Sequence, residues 1–384
     1  MVCRTLAVLG STGTIGTFTL DIVDKYPGQF RVVSLACGRN IEKLIPQIRK
    51  YQPKVVSVEK TSDIPILKKE FPEVQFYSGS EGIAACLENE SVDVAVVGIV
   101  GFAGLSPTIQ ALKNCKIVGL ANKESLVVAG TLLKQEILNS KAICVPVDSE
   151  HNAVYQVLMG RKREEISSIV LTASGGPLLR YPEMNLDEVT PDFAVNHPNW
   201  KMGPKISVDS ATMMNKGLEV IEAHFLFDYP ENQIEVWVHP QSIVHGALWF
   251  KDGSCIAQLT KPDMKSSIGY AMKYPDRLDW VIPKLTFKEM AKLEFYEPDI
   301  KRFPCLRLAR EALMAGPSYL VVLNAANEVA VDAFLKSKIR FSEIPRFIEA
   351  QLRAHETVKI GNLEDVFALD QLTRDRSNQV LSRL

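Results

Sequence analysis

The stretch TLAVLGSTGTIG, residues 5–16, joins an apolar, β-branched run to a glycine-spaced loop that opens a helix. Its first half lacks polar alternate positions, as a strand covered on both faces should. Glycines at 10, 13 and 16 let the backbone turn tightly and approach a pyrophosphate, whose charge the free amides of a helix N-terminus hold. The spacing is G-x-x-G-x-x-G rather than G-x-G-x-x-G, so the loop alone is also open to reading as a tight strand-to-helix turn. Outward from it come five more apolar runs: FRVVSLA (30–36), PKVVSVE (53–59), VDVAVVG (92–98), KIVGL (116–120) and AICVPV (142–147). Connections of helical length between them predict parallel strands, hence an α/β fold whose N-terminal domain, residues 1–148, is a doubly wound (Rossmann-like) sheet.

At 384 residues the chain exceeds the usual size of one hydrophobic core. Its 44 basic and 45 acidic side chains leave a net charge of -1, and neither a basic stripe nor a cationic amphipathic helix stands out, so neither a nucleic-acid nor a membrane partner is expected. Seven cysteines, at 3, 37, 86, 115, 144, 255 and 305, are scattered and form no C-x-x-C pair, which argues for reduced thiols rather than disulfides or zinc. The first strand begins within five residues of Met1, leaving no room for a targeting peptide, so a cytoplasmic protein is expected.

Beyond residue 148 the βα alternation loosens. The strand candidate EISSIVLTA (165–173) precedes a Pro-, Gly- and Asn-rich segment that cannot be one regular element and, with His197, Trp200 and Met202, is too apolar for simple disorder. We expect a lid over about 174–204, hinged at Gly175, Gly176 and Gly203. Strands at QIEVWVH (233–239), HGALWF (245–250) and SCIAQLT (254–260) complete an α+β connective, catalytic domain, 149–273. A Pro-punctuated linker, 274–299, then leads to a C-terminal helical domain, 300–384.

Three clusters point to chemistry. An NAD site usually places an acid at the end of the second strand; here stands Cys37-Gly38-Arg39-Asn40, and a guanidinium suits the 2′-phosphate of NADPH, though a solvated arginine is the alternative. AICVPV runs into Asp148-Ser149-Glu150, two acids that an extended chain points the same way. They suit a hard divalent cation, or an exposed acidic turn. Residues 208–219, VDSATMMNKGLE, read as a helix start capped by Asp209 or Ser210, with Asn215, Lys216 and Glu219 on one face. That face fits an anionic, metal-bound substrate or merely an amphipathic exterior. His197 stands in the lid, where a solvated histidine and a ligand donor both remain open, and Trp200 either covers a ligand or simply packs.

Taken in order, GSTGTIG, GRN, LANKESL, PVDSEHNA, TASGGP, NHPNWKMG and ISVDSATMMNKGLE resemble the 1-deoxy-D-xylulose 5-phosphate reductoisomerase family over nearly the whole chain. The resemblance implies a homodimeric, NADPH- and metal-dependent enzyme using Mg2+ or Mn2+ (or Co2+). Its substrate is a small phosphorylated sugar, rearranged to an aldehyde by retro-aldol cleavage and re-addition and then reduced to 2-C-methyl-D-erythritol 4-phosphate. It implies that Asp148, Glu150 and Glu219 bind the metal, and that Ser149, Ser174, His197, Ser210, Asn215 and Lys216 join Glu150 and Glu219 around the substrate beneath Trp200. Lys123 falls near both substrate and nicotinamide, and with the three acids makes the catalytic set. The cofactor positions implied are Ser11, Thr12, Gly13, Thr14, Ile15, Gly38, Arg39, Asn40, Asn122, Lys123, Glu124, Met202 and Gly203. Val97-Gly98-Ile99-Val100-Gly101 departs from the family's small-residue pattern, and no cofactor contact is assigned there. A plain NADP-dependent dehydrogenase without a metal and a catalytically silent dinucleotide sensor are the competing expectations.

Overall fold

A computed structural model describes residues 3–88, 91–200 and 202–382, so that Lys201, inside the expected lid, and the first and last two residues of the expected domains lie outside the described residues. The chain divides into two compact units.

The first unit comprises residues up to Ser125, Gln135–Asn152 and Asp263–Lys284. It holds β1 (Arg4–Leu9), β2 (Phe30–Ala36), β3 (Val55–Val58), β4 (Gln75–Ser78), β5 (Val94–Val97), β6 (Ile117–Leu120) and β7 (Ile143–Pro146). All pairs are parallel, in the order β4-β3-β2-β1-β5-β6-β7. Leu6 to Leu9 and Val94 to Val97 are fully buried, as expected for central strands with helices on both faces. β4 has no counterpart among the six expected strands. It is short, lies at the sheet edge, and alternates exposed and half-buried residues, so QFYS carries no apolar run. The helix Lys265–Lys273 also belongs here: Ile268, Ala271 and Met272 are buried, and a Cβ on Gly119 of β6 would lie 3.5 Å from that of Ala271.

The second unit comprises Leu126–Lys134, Ala153–Pro262 and Leu285–Leu384. Its sheet runs β11-β10-β8-β9, with β8 (Ile166–Ala173) parallel to β9 (Ile234–Val238), and β10 (Val244–Phe250) antiparallel to both β8 and β11 (Cys255–Leu259). The expected separate C-terminal helical domain is not a unit of its own. Met214, Leu218 and Ile221 of the helix Met214–Phe227 share one core with Leu308, Ala309 and Ala312 of Cys305–Ala315 and with Leu323, Ala326 and Ala330 of Pro317–Leu335. Boundaries at 148, 273 and 299 therefore differ from those of the compact units. Among the described residues Pro317–Leu335 is long and apolar enough to cross a membrane, but 78% of its apolar window is buried in this core.

The stretch 174–204 is not one loose piece. Residues 177–180 and 186–188 form 3-10 turns, Thr190 caps the short helix Pro191–Val195, and Leu178, Val189 and Ala194 enter the core. Gly175 and Gly176 have φ of +81° and +67°. A Cβ on Gly176 would stand 3.0 Å from the Ser210 carbonyl oxygen, so close packing and a left-handed backbone demand glycine there rather than hinge freedom. Gly203, with φ -65° and open space around its Cα, is under neither constraint.

Candidate active site

In the first unit, Gly10 takes φ +88°, and a Cβ there would be 2.8 Å from the Gly98 carbonyl oxygen. One on Gly16 would be 2.3 Å from the Gly10 oxygen. The helix Thr14–Lys25 starts with Gly13 at its N-cap and no side-chain cap, so its first amides are available to an anion. Thr12, Gly13, Thr14 and Ile15 are at least partly exposed, whereas Ser11 is buried with an Oγ lacking a hydrogen-bond partner. Gly98 and Ile99 pack against this loop, within the segment 97–101 to which the sequence assigns no cofactor contact.

Gly38, Arg39 and Asn40 are exposed at the carboxyl end of β2. Asn40 caps the helix Ile41–Tyr51 by accepting from the Lys43 amide at 3.0 Å, while Arg39 Nε donates to Glu59 Oε1 at 3.0 Å. Asn122 is buried at the N-cap of Lys123–Asn139: its Oδ1 accepts from the Ser125 amide at 2.7 Å, and its Nδ2 donates to the carbonyls of Ile99 and Gly101. Its side chain pins two loops together, and any ligand contact falls to its backbone. Glu124, next on that helix, is buried.

The acids at 148 and 150 are not on an extended chain. Ser149 begins the helix Ser149–Leu158, so Asp148 stands just before it, accepting from the Glu150 amide at 3.2 Å. The cause is an immediate strand-to-helix turn: the Asn152 amide bonds to the Asp148 carbonyl, and its side chain to that of Pro146. Lys123 Nζ lies 2.6 Å from Asp148 Oδ2, both groups nearly buried, and His151 Nδ1 lies 3.3 Å from Asp148 Oδ1. Ser149 Oγ donates to Glu150 Oε2 at 2.6 Å.

In the second unit, Asp209 and Ser210 do not cap a helix start. The helix Pro204–Ala211 begins earlier, after Gly203, and the chain breaks at Met213, φ +64°, before Met214–Phe227 begins. Asp209 is buried, 2.9 Å from Lys205 Nζ and accepting from Asn327 Nδ2 at 2.9 Å. Asn215, Lys216 and Glu219 do share a face: Asn215 Nδ2 donates to Glu219 Oε1 at 2.6 Å, and Lys216 bonds to Oε2. Lys205 and Asn327 carry no motif in the sequence, and His151 is one of six histidines that form no zinc pattern there. The pairing of a buried carboxylate with a cation was the one available signal, at Lys205 and Asp209, four apart on a helix.

At the end of β8, Ser174 Oγ and His197 Nε2 are 2.7 Å apart. The amides of Asn199 and Trp200 both donate to His197 Nδ1, at 3.2 and 3.0 Å. Nδ1 therefore accepts, the neutral ring carries its proton on Nε2, and Nε2–H is a donor directed at Ser174. Asn199 Nδ2 ties the turn to the Pro240 carbonyl at 2.6 Å, and the Trp200 ring meets His245 edge-on at 6.2 Å. Met202 and Gly203 follow at the mouth of the next helix.

Burial pushes the His197 imidazole down to about 4 from its ordinary 6.5. Between those values the unfolded chain binds a proton that the folded chain refuses. Stability from this group is complete above pH 6.5 and is lost as pH falls toward about 4. An NMR titration of the ring is expected to show it neutral at pH 5.5, and a midpoint near the ordinary value would refute the assignment.

A parallel sheet whose first βα turn is a glycine cradle, with acids gathered at the carboxyl end of a later strand, defines a dinucleotide-dependent α/β oxidoreductase. Three family profiles match: 1-deoxy-D-xylulose 5-phosphate reductoisomerase over residues 6–130, that family's C-terminal domain over 144–227, and the DXP reductoisomerase C-terminal domain over 259–376. The chain belongs to the 1-deoxy-D-xylulose 5-phosphate reductoisomerase family. It is 46% identical to the reductoisomerase of Prosthecochloris aestuarii, covering 97% of this chain and 98% of the relative, and 46% identical to that of Trichlorobacter lovleyi, covering 99% and 98%. A crystal structure of DOX-P reductoisomerase in complex with NADPH, fosmidomycin and magnesium superposes with TM-score 0.93 at 37% identity, over 99% of this chain and 98% of that one. The Zymomonas mobilis enzyme in complex with NADPH superposes with TM-score 0.91 at 38% identity over the full length of both.

Proposed function

We propose that this chain converts 1-deoxy-D-xylulose 5-phosphate to 2-C-methyl-D-erythritol 4-phosphate, using NADPH and a divalent metal ion, in non-mevalonate isoprenoid synthesis. Full-length membership of the family carries this reading. The glycine cradle, whose backbone packs too closely for a Cβ at Gly10 or Gly16 and whose helix start has no side-chain cap, fits a dinucleotide pyrophosphate. Ser11 Oγ, buried without a partner, and the exposed residues 12–15 and 38–40 line the nucleotide's path. The family resemblance gives the nicotinamide contacts to Asn122 and Glu124 of the first unit and to Met202 and Gly203 of the second.

Asp148, Glu150 and Glu219 supply the hard anionic oxygens that Mg2+ or Mn2+ requires. The ammonium groups of Lys123 and Lys216 already answer two of these carboxylates, as cationic charge there should. When bound, the ion supplies Lewis acidity for negative charge developing on the sugar oxygens. Lys123 is placed to hold or release a proton near Asp148, and Ser149 orients the Glu150 carboxylate. Ser174, His197 through Nε2–H, Ser210, Asn215 and Lys216 bind the phosphate and hydroxyls, and Trp200 excludes water as the lid closes. Two copies associate, β11 at the sheet edge offering a strand for a partner to extend, and the protein works in the cytoplasm without a membrane or nucleic-acid partner.

NADPH oxidation with 1-deoxy-D-xylulose 5-phosphate, with and without Mg2+ and again in Glu150→Gln, tests the reading. Oxidation should need both substrate and metal and collapse in the variant. Metal-independent oxidation would favour a plain dehydrogenase, and NADPH binding with no turnover on this substrate would sink the assignment.

A further inference from the structure

The second strand of a dinucleotide domain usually ends near an acid that accepts from the ribose 2′-hydroxyl. The segment Cys37-Gly38-Arg39-Asn40 lacks one. The fold nevertheless delivers a carboxylate to that place from the next strand: Glu59 directly follows β3, its Oε1 bonded to Arg39 Nε at 3.0 Å and its Oε2 3.4 Å from where a Cβ on Gly38 would stand. The bond uses Nε, and no bond to either Nη nitrogen of Arg39 occurs among the described residues. The Cys37 thiol feels the same local negative field, pushed up to about 12 by burial first and then by Asp63 and Glu59.

We infer that Glu59 is a specificity-determining residue at the adenosine end of the cofactor site, a ribose 2′-hydroxyl acceptor that Arg39 engages and so masks in favour of a 2′-phosphate. This rests on the reading of the first unit as an NADPH site. The two cofactors divide the pair differently. A 2′-phosphate draws the Nη edge of Arg39 into charge-assisted hydrogen bonds, and Arg39 in turn screens the phosphate from the Glu59 carboxylate. A 2′-hydroxyl offers a donor, which only Glu59 can accept, and Arg39 competes for that acceptor. Both side chains are substantially exposed, at 76% and 47%, and exposed ion pairs are weak, so the pair opens at little cost when a better partner arrives. The chain thus carries both halves of an NADPH/NADH choice, with the cationic half dominant.

Binding of 2′,5′-ADP and 5′-AMP, measured by calorimetry on the full chain, separates these roles without turnover. Wild type should prefer 2′,5′-ADP. Arg39→Leu should weaken 2′,5′-ADP by about 10- to 100-fold, the loss of one or two charge-assisted bonds, and should tighten 5′-AMP several-fold. In Arg39→Leu with Glu59→Gln the 5′-AMP gain should vanish, and kcat/KM with NADH should rise and fall in the same pattern. A 5′-AMP affinity unmoved by Arg39→Leu, or a gain that survives in the double variant, overturns the role of Glu59. Wild type binding neither NADPH nor 2′,5′-ADP would instead remove the NADPH reading, and the proposal with it.

Discussion

An Asp148→Asn variant is expected to lose turnover by about a hundred- to a thousandfold, the scale on which enzymes lose rate when one preorganised electrostatic group is removed, while NADPH binding stays near normal. Asp148 follows β7, which β5 and β6 separate from β1 and its glycine loop, so the pyrophosphate cradle has no reason to change. Its carboxylate answers a lysine only 7% exposed. Removing one partner of a buried pair leaves the other charge uncompensated, at a cost of about 3–5 kcal/mol, so a lowered Tm should accompany the loss of rate. Adding Lys123→Met should recover part of that Tm, since no charge is then stranded, without recovering turnover. Measuring kcat at saturating Mg2+, NADPH affinity and Tm together distinguishes the outcomes. A variant with near-native kcat would remove Asp148 from the chemistry.

Gly16→Ala is the second large effect. The new methyl would lie 2.3 Å from the Gly10 oxygen and 2.4 Å from the Ser11 Cα, backbone atoms that no rotamer change can move. Overpacking of this kind costs about 1–3 kcal/mol, and the loop that must relax to accommodate it is the one whose amides face the pyrophosphate. NADPH affinity should fall by more than about tenfold, the effect of a 1.4 kcal/mol loss, with Tm falling in parallel. Gly13→Ala offers a contrast, since its methyl would sit 3.4 Å from the same oxygen, an ordinary contact. Its Tm should change far less. Equal Tm losses in the two variants would show that loop flexibility, and not close approach, explains the glycines.

The parallel sheet and its cradle were legible because both leave local marks: apolar runs at regular spacing, and glycines where backbone meets backbone. β4 escaped because an edge strand half in solvent has no reason to be apolar. The sequence sets acids at 148 and 150 two positions apart but does not show the turn between them. A strand that turns into a helix within two residues looks from sequence like a longer strand. The misplaced helix start at 209 has a similar origin: Pro204 marked the true beginning, while the break at Met213 requires a left-handed non-glycine residue that no pattern announces. In the lid segment, Leu178, Val189 and Ala194 anchor to a core that also draws on residues more than a hundred positions away, invisible to any local window. Asn327 reaches Asp209 across 118 positions for the same reason.

The return of Lys265–Lys273 to cover β6 carries a consequence for how the protein is made. The nucleotide-binding sheet draws its last covering helix from a segment translated only after Ala153–Pro262 of the second unit. At about 5–20 residues per second on the ribosome, the first 152 residues wait several seconds with an apolar face of the sheet bare, a window in which chaperones have something to hold. A fragment ending at Asn152 should therefore be recovered mainly as aggregate, whereas a circular permutant that begins at Asp263 would deliver the cover first.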